Sequence, residues 1–213
     1  MVRNVRRRRG RPKDQELTAR RCEEILDVAA RVFAERGYAE TDVQLIADEL
    51  GVGKGTIYRY FPSKQELFLA AVDRGMRRLR AQVEAATADR QDPLDVIAHA
   101  IRTYLAFFQT YPEFVELFIQ ERAVFRDRRK PTYFEHRQAN VKKWQDLVRR
   151  LIAEGRVRDL PVERVTDVVG DLLYGTMFTN YFTGRARSFE EQAHDILDTV
   201  LNGILVERNY VRQ

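Results

Sequence analysis

Between Gly51 and Lys64 the chain reads Gly-Val-Gly-Lys-Gly-Thr-Ile-Tyr-Arg-Tyr-Phe-Pro-Ser-Lys, a run without a single carboxylate. Its polar groups suit a polyanion. Lys54, Arg59 and Lys64 offer cations for phosphate or guanine, Thr56, Tyr58 and Tyr60 offer hydroxyls for phosphate, and Gly55 permits close backbone approach. Ile57 and Phe61 stand four apart, so on a helix they share an inward face and turn Tyr58, Arg59 and Tyr60 toward other faces. Large aromatic rings on a short polar helix are costly to expose without a partner, and DNA is the natural one.

Catalytic chemistry has no comparable foothold. His99, His136 and His194 are far apart, neither HExxH nor CxxC occurs, and no phosphate-cradling glycine loop follows a strand. The expectation is a protein without catalytic residues, metal or cofactor.

The elements that must position the acid-free run read as all-α, with about nine helices and almost no strand pattern. A first helix is expected from Thr18 to about Arg36, with Ile25, Ala29, Val32 and Phe33 inward. A short second helix follows Thr41 as N-cap, with Val43, Ile46, Ala47 and Leu50 at helical spacing. Only Gly51, Val52 and Gly53 separate it from a third helix, Lys54 to about Tyr60. Two short helices joined by a glycine-containing turn are the pattern of a helix-turn-helix. Ser63 with Glu66 forms a capping box for a long fourth helix, expected to reach about Ala88. Asp92-Pro93, Pro112, Pro131 and Pro161 mark further starts, and Ser188 with Glu191 opens a last helix through Val206.

These residues carry a resemblance. Ile25–Phe33 follows the pattern Ile-Leu-x-x-Ala-x-x-x-Phe, and with Gly37-Tyr38, Ile46-Ala47 and the Gly51–Lys64 run it resembles the TetR family of bacterial transcriptional regulators over about residues 18–70. The resemblance implies that the third helix enters the major groove and that Tyr58, Tyr60, Lys64 and Thr41 hold phosphates. Lys54, Gly55, Thr56 and Arg59 then approach bases or nearby backbone, and Gln44 occupies a place where an amide can pair with adenine. Gly53 stands where the family often has serine, a weaker cap for the third helix.

The chain has 213 residues, 44% of them hydrophobic, enough to form a core. Its net charge of +5 is uneven: residues 1–13 contribute +7, which leaves −2 for the remaining 200. A basic tail suggests nucleic acid ahead of an anionic membrane. Within it, Arg9-Gly10-Arg11-Pro12 is similar to an AT-hook, whose arginines enter narrow minor grooves. A solvated tail acting through counterion release is the open alternative. With one cysteine, Cys22, an internal disulfide is impossible, and neither a membrane span nor a secretory segment is expected, so the location expected is the cytoplasm. The domains expected are a disordered tail over 1–17, a DNA-binding domain over 18–62, and a ligand-binding and dimerisation domain over 63–213.

Family architecture implies a homodimer on a palindromic operator, paired through the last two helices. Val168, Leu172, Gly175, Ile196, Leu197, Val200 and Leu201 are the expected interface, with an intrachain stripe as the alternative. Aromatic residues crowd the middle helices and suit a pocket for a small, largely apolar effector. The expected wall is Tyr104, Phe107, Phe108, Phe118, Trp144, Tyr174 and Phe178, with Asn180 a further polar handle. The Arg126–Lys130 run reads as a solvated loop. The function expected is a ligand-responsive repressor; an activator of the same fold and an architectural DNA-binding protein are the rivals.

Overall fold

A computed structural model describes residues 12–185 and 187–202. The described residues form nine helices: α1 (Pro12–Arg36), α2 (Val43–Glu49), α3 (Lys54–Tyr60), α4 (Lys64–Thr87), α5 (Pro93–Thr110), α6 (Glu113–Val124), α7 (Thr132–Ala153), α8 (Val162–Thr183) and α9 (Phe189–Asn202). The fold is all-α, and two compact units divide between Arg74 and Gly75. None of the described helices is long and apolar enough to cross a membrane.

In the first unit α1 begins at Pro12 rather than at Thr18, so 12–17 is helical and not the expected tail. Proline lacks the N–H that a first turn leaves unbonded, and Glu16 and Leu17 are good helix formers. Ile25, Ala29 and Phe33 of α1, Ile46 and Ala47 of α2, Ile57 of α3 and Phe68 of α4 are fully enclosed. Burying each of the larger side chains stabilises the unit by roughly 1.5–3 kcal/mol. Phe33 meets Phe68 edge-on at 5.1 Å, and Tyr38 closes the cluster at 5.2 Å from Phe68. Arg74, nearly enclosed, pairs with Glu23 and Asp27 of α1 and ties α4 to it. Cys22 is half-buried, and burial followed by the charge of Glu23 raises its thiol pKa, which fits an inert thiol.

The turn between α2 and α3 rests on Gly51. Its φ of 65° lies in the left-handed region, its N–H bonds Asp48 O at 3.1 Å, and Val52 N bonds Ala47 O at 2.9 Å. That pair of bonds caps α2 and sends the chain directly into α3.

In the second unit α5 opens as its sequence requires: the Asp92 carboxylate accepts from Leu94 N at 2.8 Å and Asp95 N at 3.1 Å. Ser188 and Glu191 form the reciprocal capping box of α9, with bonds of 3.0 and 3.2 Å. Helix α8 packs on α5, α6 and α7, and α9 packs on α5. The α9 stripe joins Ala193 and Ile196 to Ile101 and Leu105, with Leu197 against the same cluster. Residues 203–206, expected to complete the last helix, lie outside the described residues.

Candidate nucleic-acid interface and effector cavity

The acid-free run folds so that its hydrophobic member faces in and its polar members face out. Ile57 is fully enclosed, Tyr58 is 37% exposed, Gly55 and Arg59 are exposed, and Lys54, Thr56, Tyr60 and Lys64 are half-buried. Phe61 is half-buried and extended, so it ends α3 instead of extending its inner face. Arg59 lies 5.2 Å from the Tyr60 ring centroid. Lys64 donates to Ala39 O at 3.0 Å, with its ammonium 4.7 Å from the Tyr38 ring centroid. Gln44 is exposed on α2 and donates to Asp48 at 2.6 Å. Gly53 is the N-cap of α3 and provides no side-chain cap.

Thr41 departs from expectation. The N-cap of α2 is Asp42, whose carboxylate accepts from Gln44 N at 2.8 Å. Thr41 is 2% exposed, and its hydroxyl donates to Gly37 O at 2.7 Å. A phosphate contact through that hydroxyl would require this internal bond to break. Asp42 also pairs with Lys54. The Gln44 N–H first, and then the Lys54 ammonium, hold the Asp42 carboxyl below its ordinary range; the same pair raises Lys54. Arg9 and Arg11 lie outside the described residues.

The second unit holds a cavity of about 530 Å³ among α6, α7, α8 and the 125–131 loop. Phe118, Tyr133, Phe134 and Tyr174 form an aromatic wall, in which Tyr133 stands 4.8 Å and Phe134 5.2 Å from Tyr174. Arg122, Arg126, Arg128 and Arg129 also line it. Glu121, 1% exposed, accepts from Thr132 N at 3.0 Å and Thr132 Oγ1 at 2.7 Å. It also pairs with Arg128 at 3.2 Å, and Arg128 reaches Glu135 at 3.0 Å. Glu121 therefore holds the N-terminus of α7 and one rim arginine together.

Of the residues expected to line a pocket, Phe118 and Tyr174 do so. Phe178 packs on Tyr174 at 4.8 Å, and Tyr104 contacts Phe108 at 4.9 Å and bonds the Tyr133 hydroxyl at 2.9 Å, so these three stand behind the wall. Phe107 is core, stacked on Phe114 at 5.7 Å because α5 and α6 close over it. Trp144 is half-buried beside Lys143 and is not part of the cavity lining. Asn180 bonds Gln192 at 2.7 Å. Burial drives the Tyr104 hydroxyl well above its ordinary pKa and pushes Tyr133 up to about 12. Sequence reading misses Tyr133, Phe134 and Glu121 as site residues, and it treats three cavity-lining arginines as a solvated loop.

On the expected dimer face, Val168 is 59% exposed, and Leu172, Gly175, Val200 and Leu201 are also exposed. Ile196 and Leu197 differ: they pack within their own chain against α5. Among the described residues no three metal-ligating side chains come together.

An exposed cationic and hydroxylated helix, set by a three-residue turn against a second short helix, defines a helix-turn-helix DNA-binding protein. Residues 25–71 match the family model described as bacterial regulatory proteins, tetR family. The HTH-type transcriptional repressor KstR2 of Mycobacterium tuberculosis is 29% identical over 193 residues, covering 86% of this chain and 92% of that protein. The TetR-family regulator PfmR of Thermus thermophilus superposes with a TM-score of 0.69 at 26% identity, covering 86% of this chain and 99% of that one. The fatty acid degradation regulator FadR of Bacillus halodurans shares the fold, with a TM-score of 0.75 at 17% identity, covering 92% and 98%. Residues 25–71 thus carry the helix-turn-helix of the tetR family of bacterial regulatory proteins, and over most of its length the chain is similar to TetR-family transcriptional regulators.

Proposed function

We propose that this regulator is a homodimeric repressor that leaves a palindromic operator when a small effector fills the cavity of the second unit. The observation that carries the reading is the aromatic-walled cavity, about 530 Å³, in a chain whose other unit presents a helix-turn-helix. That volume falls within the roughly 300–1,000 Å³ of small-molecule sites. The name of the mycobacterial relative supports repression as the sign of regulation.

In this reading residues 18–62 bind DNA, and 63–213 bind the effector and dimerise. The contacts to DNA come from α3 through Lys54, Gly55, Thr56, Tyr58, Arg59 and Tyr60, with Gln44 and Lys64 beside it. Arg9 and Arg11 add contacts from the tail. Two copies pair through Val168, Leu172 and Gly175 of α8 and Val200 and Leu201 of α9, because these residues are exposed on their own chain. A palindromic site requires two recognition helices at one spacing. Helix α4 carries the signal, since α1 grips it through Arg74 and α6 through the contact of Phe114 with Gly75. The effector must bind the non-operator state more tightly for release to follow.

The test is an operator-release titration with Tyr174→Ala and Phe118→Ala. Both variants should bind operator normally and lose induction. Loss of operator binding together with induction would contradict the proposal. An activator would instead show operator-dependent loss of transcription when the gene is deleted.

A further inference from the structure

The cavity lining is chemically mixed, and its arginines are not accounted for by an apolar ligand. Arg128 is committed to Glu121 and Glu135. The other three arginines have no carboxylate partner among the described residues: Arg122 donates to Arg126 O at 3.3 Å and Arg126 to Ala123 O at 3.2 Å, both backbone acceptors. Arg129 lines the cavity with no side-chain bond to any described residue. The lining holds one other carboxylate, Asp127, and three guanidiniums without a carboxylate partner among the described residues. Positive charge concentrated in the lining of a recess raises the local concentration of anions. The N-terminus of α7 does not meet this role, because Glu121 already occupies Thr132 N.

Resting on the proposal that this cavity is the effector site, we infer that the effector is an amphipathic anion. Its apolar body lies on Phe118, Tyr133, Phe134 and Tyr174, and a terminal carboxylate or phosphate is read by Arg122, Arg126 and Arg129. Guanidinium matches both anions through paired N–H donors. The 125–131 loop is thereby a specificity element, and Glu121 is the positioning residue that ties it to α7.

The experiment uses the full chain, the uncharged fluorophore N-phenyl-1-naphthylamine as cavity probe, and three competitors with one tail: decanoate, decyl phosphate and 1-decanol. Both anions are expected to displace the probe at concentrations at least about ten-fold below decanol, with the advantage shrinking as salt rises. The relative strength of decanoate and decyl phosphate tells which anion the rim prefers. In Arg126→Gln/Arg129→Gln the advantage should fall to within about three-fold, while the probe binds as before and DNA affinity is unchanged. Tyr174→Ala should weaken probe and all three competitors together. If decanol competes as well as the anions, the inference fails while the cavity reading stands. A preference that survives in the double arginine variant also overturns it, as does a loss of DNA affinity in that variant exceeding the loss for decanoate. If the probe does not bind, or binds equally to Tyr174→Ala, the cavity reading fails and this inference with it.

Discussion

Gly75→Ala tests how tightly the second unit is packed. On an exposed helix the change would stabilise the protein by about 1 kcal/mol, since glycine is the poorer helix former. Here a Cβ would lie 2.3, 2.5 and 2.8 Å from three ring atoms of Phe114. Carbon atoms rest at about 3.5 Å or more, so the ring must retreat by roughly 1 Å. It has nowhere to go: Phe114 is fully buried and stacked on Phe107, which is buried too. Overpacking of this kind costs about 1–3 kcal/mol. Taking the upper part of that range against the propensity gain leaves a net loss of about 1–2 kcal/mol. Guanidinium unfolding followed through Trp144, the single tryptophan and part of the second unit, should show a lower midpoint with an unchanged slope. In a Phe114→Leu background the same glycine substitution should be less harmful, giving a coupling of about 1 kcal/mol or more. A raised midpoint for Gly75→Ala alone would refute the close contact and the reasoning built on it.

Three further outcomes follow from the same geometry. Asp42→Asn keeps a side chain that caps α2 but releases Lys54 and removes a carboxylate from a basic surface; DNA should bind several-fold more tightly at low salt, measured by fluorescence anisotropy, and unchanged or weaker binding would contradict this. Thr41→Val loses the bond to Gly37 O, which still accepts from Thr41 N at 3.2 Å, so stability should fall by about 1 kcal/mol with DNA affinity within about two-fold. A loss of affinity of about ten-fold at unchanged stability would instead place the hydroxyl on a phosphate. Tyr104 and Tyr133 stay neutral inside the fold, so their contribution is complete below the unfolded tyrosine value near pH 10 and is lost as pH rises through the raised folded values, about 12 for Tyr133. Absorbance at about 295 nm should show both ionising only with unfolding, and Tyr104→Phe/Tyr133→Phe should flatten the alkaline loss of stability.

Local signals in this chain are legible where one short segment holds all the information. Asp92-Pro93, Ser188 with Glu191, and the turn at Gly51 each satisfy backbone groups a few residues away, and the structure uses all three as read. The α2 cap shifts by one residue because Thr41 and Asp42 are both good caps, and the choice depends on which one is buried against Gly37. Helical periodicity finds the α9 stripe but not its neighbour: Ile196 and Leu197 meet α5, while Val200 and Leu201 remain exposed. The same limit applies to the aromatic rings. Phe107 and Tyr133 look alike in a helical pattern, and only the packing of α6, α7 and α8 makes one core and the other a cavity wall. Arg126, Arg128 and Arg129 resemble any solvated charge run until the ends of α6 and α7 converge around Glu121.

Fluorescence anisotropy on the intergenic DNA beside the gene, run over a salt series with wild type and Tyr58→Ala, tests the central claim most directly. Saturable binding to a palindromic fragment is expected, weakened strongly by Tyr58→Ala and by salt, with two chains on each site. Binding that is equal on random DNA and survives Tyr58→Ala would contradict it and make the basic tail the principal DNA contact.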